Sequence, residues 1–455
     1  MKHFLIVAAF AFAPMPAVGS DFSNDFQMQL DAGRIPSAVS VAQQALASSP
    51  DNAEATFALG VAKFLSAAEG LAQGLYGYGL RNEFDNQMLG LAGLPFLRLP
   101  VPQNPEPEQV TYAGLRQLLE RFVDDLAEAE TTLAAIQEGQ VSLPLDLGTA
   151  RLDLDGDGEG GPEEGIAEIF DALSGGMLVD KYDLKFTFDE SDVPWLRGYC
   201  HLLMAVAEIP LAHDWERAFE ATFHGVFPAS DLPGSPLAEE MQRVYEALDA
   251  FYARPEGPPS WNRPADMTFD EWRKTEAYRD LEEMRRLETA LWGASIADLI
   301  VFVHLFDWPV VEAERAASAR LHLLSMVELS RESWRRIYAE TDDDAEWIPS
   351  PSQTGRFRNL RVTDEIVQGW HGFLDEFEAL LNGAKLVRHW RFAGDRGVNI
   401  RRMFTEPRRL DPVMIAAGPG ALPYIEEGAV IDSDTVGTLF DIIGDGFFAY
   451  FVWFN

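Results

Sequence analysis

The residues whose types and spacing indicate a chemical role most clearly form a short acidic loop, DLDGDGEGGPEE, at 153–164. Three aspartates fall at alternate positions, a glycine follows at once, and a glutamate closes the loop at its twelfth position. A hard cation such as Ca²⁺ takes about six to eight oxygen ligands, so carboxylates clustered on a tight turn suit it. Glycine permits the sharp bend that brings them together. The spacing therefore predicts a calcium site at 153–164.

This pattern resembles the calcium loop of EF-hand and EF-hand-like proteins, D-x-D-x-D-G followed by a glutamate at position twelve. The resemblance implies side-chain ligation by the three aspartates and chelation by both oxygens of Glu164. It also implies a backbone carbonyl ligand at Glu159 and a water-mediated one at Gly161. The implied metal ligands are Asp153, Asp155, Asp157, Glu159, Gly161 and Glu164.

The loop departs from the family pattern in two ways. Gly160 stands at position eight, where the family places an aliphatic residue that pairs two loops through a short strand. The segment that enters the loop, VSLPLDL, alternates like extended chain rather than helix. No second loop of this quality occurs, and a calcium sensor needs paired loops. We therefore expect a structural clamp, and the alternative is a solvated acidic turn that binds no metal.

A second candidate site lies where His201, Glu208 and His213 follow one another in a largely apolar segment. Zinc or iron would need three or four such ligands to converge. The spacing matches neither H-E-x-x-H nor the paired E-x-x-H of di-iron bundles. One interpretation is a periplasmic hydrolase or metal-dependent enzyme. The other is that these histidines fill the core and cap helices.

A third candidate is a basic stripe at 385–409, which carries eight basic residues against two acidic ones. Arginine suits bidentate recognition of carboxylate or phosphate. The stripe predicts either an anionic-ligand site or a surface that docks on the acidic body of the protein. The candidate anion-binding residues are Arg388, Arg391, Arg401 and Arg402.

Nucleophile and nucleotide motifs are missing from the sequence. There is no G-x-S-x-G, no dinucleotide fingerprint, and no G-K-[ST] after the glycine-rich segment 418–424. The question whether the chain is an enzyme stays open at this point, with the absence of such motifs favouring a non-catalytic protein.

Composition narrows the class of protein. The 455 residues are 47% hydrophobic, which is enough for sizeable cores and excludes a disordered acidic tail. The formal charge of −37 repels phosphate backbones, so we expect no nucleic-acid partner. Lys2, an apolar run and the small residues before Ser20 predict a signal peptide over 1–20 and export to the periplasm or exterior. The single cysteine, Cys200, predicts a buried thiol rather than a disulfide.

The first part of the mature chain is alanine-rich and predicts helices over 21–80. Its small residues and proline resemble the tetratricopeptide repeat (TPR), which places small residues where two helices cross. The match covers about one and a half repeats, and Ala42 and Thr56 stand where the family has large aromatic residues. The residues that carry it are Gly33, Ala38, Ala45, Pro50, Leu59 and Gly60.

The rest of the chain predicts a helical body and a different C-terminal unit. Residues 290–306 are the most apolar stretch of the mature chain, and Asp298 and His304 within it favour a buried core helix over a membrane span. After a helix capped by Thr363, short strands are expected from 383, 397, 411 and 446 onward. We expect no membrane span in the mature chain.

Together these observations predict a mainly α fold, with a multi-helix body, an N-terminal TPR-like hairpin and a smaller C-terminal α+β unit. The predicted divisions are a signal peptide at 1–20, the hairpin with a proline-rich connection at 21–106, a helical domain at 107–348, and the α+β unit at 349–455. The favoured function is an exported calcium-binding scaffold whose partner is another envelope protein or peptide. The alternatives are the enzyme and the anion-binding protein described above. Oligomeric state is left open.

Overall fold

The structure is a computed structural model that describes most of the chain. The described residues are 19–81, 99–136, 140–169, 184–255, 257–343, 345–355, 361–431 and 453–454. The expected signal peptide at 1–20 and much of the proline-rich connection lie outside these ranges. The described part confirms a mainly α protein with two small sheets, of two and three strands.

Helices and one pair of antiparallel strands make up the described part of the first half. In chain order they are α1 (Gly19–Asp31), α2 (Ile35–Ser48), α3 (Ala53–Gly77), α4 (Tyr112–Ala134), β1 (Ser142–Asp146), β2 (Lys185–Asp189), α5 (Asp192–Leu211) and α6 (Glu216–Thr222). β1 and β2 pair antiparallel, with Pro144 opposite Thr187.

The second half adds longer helices and the three-stranded sheet. Its elements are α7 (Ser235–Tyr252), α8 (Phe269–Trp272), α9 (Glu276–His304), α10 (Ala313–Ile337), α11 (Asp364–Leu381), β3 (Val387–Arg388), β4 (Arg396–Val398), α12 (Ile400–Thr405), α13 (Pro412–Ala417) and β5 (Ile425–Glu427). β4 is the central strand and pairs antiparallel with both neighbours.

Glycines let α3 and α4 pack closely in the N-terminal part. A Cβ at Gly60 would lie 2.3 Å from Leu133, and one at Gly74 would lie 2.4 Å from Leu118, so both glycines admit leucines of α4. Asn52 caps α3 and Thr111 caps α4 through their side chains. The apolar residues of α4 recur at helical spacing and are buried, as the periodicity predicts.

The largest hydrophobic core runs from the N-terminal helices through α5 and α10 to α11. α5 packs along α10, and Trp334, Trp370 and Phe454 meet between α10, α11 and the described C-terminal residues. Cys200 lies in this core, as predicted. The predicted divisions near 106 and 348 stay predictions.

The sequence predicts a buried core helix at 290–306. The helix is present, but the prediction that it is buried is wrong. The helix α9 forms, and its first half packs Leu281 and Met284 against α7 in a separate small core. Its second half extends past that core, and Trp292, Ile296 and Ile300 are between 48% and 63% exposed. Periodicity predicts that a segment is helical. It does not predict whether another helix covers the apolar face, because that depends on tertiary packing. We call α7, α8 and α9 the helical arm.

Length and composition alone make α3 and α9 candidates for crossing a membrane. The most apolar window of α3 is 50% buried, whereas that of α9 is 17% buried. The absence of a span from the mature chain therefore stays a prediction.

The C-terminal unit contains α11 with the predicted Thr363 cap, and the sheet β3–β4–β5. Three expected strands are wrong over most or all of their described length. The strand expected from 397 ends at Val398 in β4, and Asn399 then caps the helix α12. The segment after Asp411 forms α13, because the Asp411 carboxylate caps it and Pro412 suits a first helical turn. Trp453 and Phe454 are helical, and the rest of that expected strand lies outside the described residues.

Candidate metal centre

The acidic loop is closed at its base by backbone hydrogen bonds. Leu152 N donates to Glu164 O at 3.0 Å, and Ile166 N donates to Ala150 O at 2.9 Å. The predicted extended segment is confirmed over β1, and a turn at 147–149 separates this strand from the loop. Two antiparallel bonds at the base fix the distance between the ends of the loop and so the position of its carboxylates.

Three of the predicted ligands converge. Asp153, Asp155 and Glu164 each offer one carboxylate oxygen, and these oxygens lie within 4.8 Å of one another. Asp153 and Glu164 are buried. The Asp153 carboxylate accepts hydrogen bonds from Gly156 N at 2.7 Å and Gly158 N at 3.0 Å. Gly158 has φ of +98°, which glycine adopts without strain, as its place in the turn predicts.

The other three predicted ligands lie outside this carboxylate group. Asp157 is exposed, and its Oδ1 accepts a hydrogen bond from Glu159 N at 2.9 Å. The Glu159 side chain pairs with Arg34, 2.6 Å away. Gly161 N donates to Glu164 Oε2. The structure therefore brings together three of the four predicted side-chain ligands, with Asp157 as the exception.

The loop packs against the N-terminal helices. Gly160 N donates to Ala32 O in the α1–α2 turn at 3.1 Å, so position eight pairs with this turn and not with a second loop. From α3, Glu69 Oε1 accepts a hydrogen bond from Asp153 N at 2.8 Å, and Gln73 Nε2 donates to Asp153 O at 2.7 Å. Sequence reasoning missed Glu69, although a carboxylate in a nearly charge-free helix was an available signal.

Negative charge concentrates at this contact. Burial, with the added charges of Asp153 and Glu164, raises the pKa of Glu69 to about 7. Burial also raises the pKa of Glu164, in spite of the backbone N–H groups that donate to it. The donors are all oxygen, which fits Ca²⁺ or Mg²⁺ and disfavours soft transition metals. A divalent cation between these carboxylates would offset their repulsion.

A second carboxylate group, which the sequence did not indicate, lies between β2 and the end of α10. Asp189, Glu340 and Glu346 offer oxygens within 4.8 Å of one another. Gln353 Nε2 donates to Glu340 Oε2 at 3.1 Å. Burial, followed by the charge of Asp189, raises the pKa of Glu340 to about 7. Asp189 lies about 150 positions before Glu340 in the chain, so no local sequence pattern indicates this group.

This group predicts a pH-dependent stability. Between about pH 4.5 and 7 the folded Glu340 carboxyl holds a proton that the unfolded chain has released. The free energy of unfolding should therefore fall as the pH rises through that window. Glu340→Gln, which stays neutral, should make the decrease smaller. Urea unfolding at pH 5 and pH 8 with chelator measures it, and exposed Glu314→Gln on α10 is the control. Equal decreases in wild type and Glu340→Gln would contradict the prediction.

The predicted histidine site is not assembled. Among the described residues, His201, Glu208 and His213 form no group of three potential metal ligands. His201 Nδ1 lies 2.8 Å from Nδ1 of His322 on α10, and Glu208 pairs with Arg315 at 3.0 Å. His213 Nδ1 hydrogen-bonds the carbonyl of the residue four positions earlier. Burial lowers the pKa of His201 to about 4, so it is neutral at pH 7.

The basic stripe divides into paired and open arginines. Arg402 bridges Glu406 at 2.7 Å and Glu426 at 3.1 Å, so it joins elements of the C-terminal unit. Arg388, Arg391 and Arg401 are exposed and form no ion pair with the residues that the structure describes. Of the four predicted anion-binding residues, three thus present free charge and one is internal.

Comparison with known proteins adds no family. No protein-family model, curated protein or solved structure matches the chain. The EF-hand-like and TPR-like resemblances therefore stay predictions, and the functional argument depends on the geometry of the sites.

Proposed function

We propose that this chain is an exported, calcium-stabilised helical protein with a non-catalytic binding or scaffold role. Its calcium loop acts as a structural clamp and not as a signalling switch. Its partner is another envelope protein or a peptide.

The convergence of Asp153, Asp155 and Glu164 carries the proposal. These carboxylates stand on a loop that is closed at its base by backbone hydrogen bonds and is bonded to the N-terminal helices. A cation bound there would fix the loop, and the loop would fix α1, α2 and α3 against the rest of the core. Metal affinity would then add to the free energy of unfolding.

Exposed apolar side chains on the helical arm support a binding role. Trp292, Ile296 and Ile300 recur every four residues along α9 and are all exposed. Rows of apolar side chains on a protein surface are typical of contact with another molecule. The histidine positions offer no convergent ligand set in the described chain, which favours the scaffold over the metal enzyme.

Calcium titration calorimetry of the mature chain tests the proposal. We expect one site per chain with a Kd of about 10⁻⁴–10⁻³ M, the range of exported calcium modules. Glu164→Gln should raise the Kd at least about tenfold, because it removes a chelating charge. Magnesium should bind more weakly, since it demands a stricter octahedral geometry.

The neighbouring residue provides a matched control. Glu163 is exposed in the same loop and has no ligand role, so Glu163→Gln should change the Kd by less than about twofold. The proposal fails if the wild type shows no saturable calcium binding, or if both variants weaken binding equally.

A further inference from the structure

The second half of α9 turns its polar residues inward and its apolar residues outward. Ser295 is buried, and Asp298 Oδ2 lies 3.6 Å from Nε2 of the buried His224. Ile296 and Ile300 stand on the opposite side of the helix and are exposed. A surface helix of a water-soluble protein does the reverse, because its apolar stripe faces the core.

The exposed side of this part of α9 carries no formal charge. Between Thr289 and His304 the sequence contains one charged residue, Asp298, and this residue lies on the inner side. At 3.6 residues per turn, the exposed positions of 289–304 fill about half of the circumference of the helix. We call this side of 289–304 the outer face. Its large side chains are Trp292, Ile296, Ile300, Val301 and Val303.

The area of the outer face distinguishes between a protein and a lipid surface as its partner. One side of a helix about 24 Å long offers at most about 500 Å², whereas a stable protein interface buries about 800 Å² on each partner. The formal charge of −37 also opposes contact between two copies of the chain. A lipid bilayer needs no such area, because an interfacial helix buries only its apolar side among the headgroups and the first acyl carbons.

The outer face suits a helix that lies in the membrane surface better than one that spans the membrane. Residues 289–304 extend about 24 Å, which is less than the about 30 Å of the hydrocarbon core. On the inner side, Phe302 is fully buried in the largest hydrophobic core. A spanning helix would have to withdraw Phe302 from this core and place the Asp298 carboxylate in hydrocarbon, which is costly.

We propose that the outer face of α9 binds the surface of a zwitterionic lipid bilayer. Anionic lipids are disfavoured, because the chain carries a formal charge of −37 and the outer face contributes no lysine or arginine to attract them. The inference rests on the binding role proposed above and names a lipid surface as what the helical arm binds. It does not involve the acidic loop.

Flotation of the full mature chain with phosphatidylcholine vesicles in a density gradient tests the inference. We expect more than about half of the protein to float at about 1 mM accessible lipid. Vesicles that contain equal amounts of phosphatidylglycerol and phosphatidylcholine should float less protein, since their surface is negative. Stronger flotation with these anionic vesicles would overturn the assignment to zwitterionic lipid.

Two variants of the outer face test the location. Ile296→Asp/Ile300→Asp should lower the bound fraction at least about tenfold, because it places two carboxylates at the depth of the acyl chains. Ile296→Ser/Ile300→Ser adds no charge and should lower it at least about threefold through the loss of apolar area. Both positions are exposed, and thermal melts verify that the variants fold.

Exposed leucines outside the helical arm provide the matched control. Leu321 on α10 and Leu422 in the C-terminal unit are each 59% exposed. Leu321→Asp/Leu422→Asp makes the same change of charge as the aspartate variant of the outer face, and it should alter the bound fraction by less than about twofold. Equal losses in these two aspartate variants, or an unchanged bound fraction in Ile296→Asp/Ile300→Asp, would overturn the proposal.

Calcium titration calorimetry on the same samples keeps this inference apart from the proposed function. Saturable calcium binding by a wild-type chain that does not float would overturn the lipid surface and leave the calcium clamp standing. Flotation of a wild-type chain that binds no calcium would support the lipid surface and overturn the clamp.

Discussion

Calcium at 10 mM is expected to stabilise the wild-type chain by about 1.4–2.7 kcal/mol, if its Kd lies between about 10⁻⁴ and 10⁻³ M. The reason is that a cation bound only by the folded loop shifts the folding equilibrium by mass action. The loop is bonded to α3 through Glu69 and Gln73, so the stabilisation should extend to the cooperative unfolding of the N-terminal helices. Thermal unfolding in chelator and in calcium measures the shift as a rise of the midpoint.

Loop variants separate this effect from general salt stabilisation. Glu164→Gln should reduce the rise by about half or more, because Glu164 is both a predicted chelating ligand and a member of the convergent group, and an about tenfold higher Kd lowers the linkage stabilisation by that much. Exposed Glu163→Gln should keep it. A rise of equal size in Glu164→Gln, or with sodium chloride of matched ionic strength, would contradict a bound cation at this loop.

Gly33→Ala is expected to destabilise the protein by about 2–5 kcal/mol. Gly33 has φ of +65°, a conformation that costs a residue with a Cβ about 1–2 kcal/mol. The new Cβ would also stand 2.3 Å from Gly160 N, and such crowding costs about another 1–3 kcal/mol. Because the clash is with the acidic loop, relieving it should move the loop from the α1–α2 turn. Urea unfolding with and without calcium measures the effect.

Another glycine distinguishes the clash from the backbone strain. Gly394 has φ of +71°, and a Cβ there would meet no atom of the described residues within 4 Å. Gly394→Ala should therefore cost only the about 1–2 kcal/mol of the left-handed conformation. Equal losses in the two variants would mean that the contact between Gly33 and Gly160 does not hold the loop. A stabilisation by calcium that is unchanged in Gly33→Ala would mean that the contact and the metal site are independent.

These predictions meet at one contact, where the acidic loop touches the N-terminal helices. A paired calcium module would hold each loop through a second loop. Here the acidic loop is held by the hydrogen bond from Gly160 N to Ala32 O and by two hydrogen bonds with Glu69 and Gln73 of α3. The position-eight glycine, a departure from the family pattern, is what allows this close approach. A single loop can thus be fixed by helices instead of by a partner loop.

The sequence by itself determined the features that depend on neighbours in the chain. Three examples are the apolar spacing of α4, the Thr363 cap of α11 and the carboxylates of the acidic loop. Each involves residues that lie within about a dozen positions of one another in the chain. Local geometry dictates such features, since helical period, capping and turn conformation involve only nearby backbone.

Only the tertiary structure determined which other parts of the chain each of these elements contacts. Local periodicity could not indicate that α9 would expose its apolar half. The same is true of His201 meeting His322 and of Asp189 meeting Glu340, which lie more than 100 residues apart in the chain. Arg197 of α5 and Arg335 of α10 likewise line one cavity although they are far apart in the chain. Contacts at such separation depend on how whole helices pack, and a local pattern of residue types carries no record of that packing.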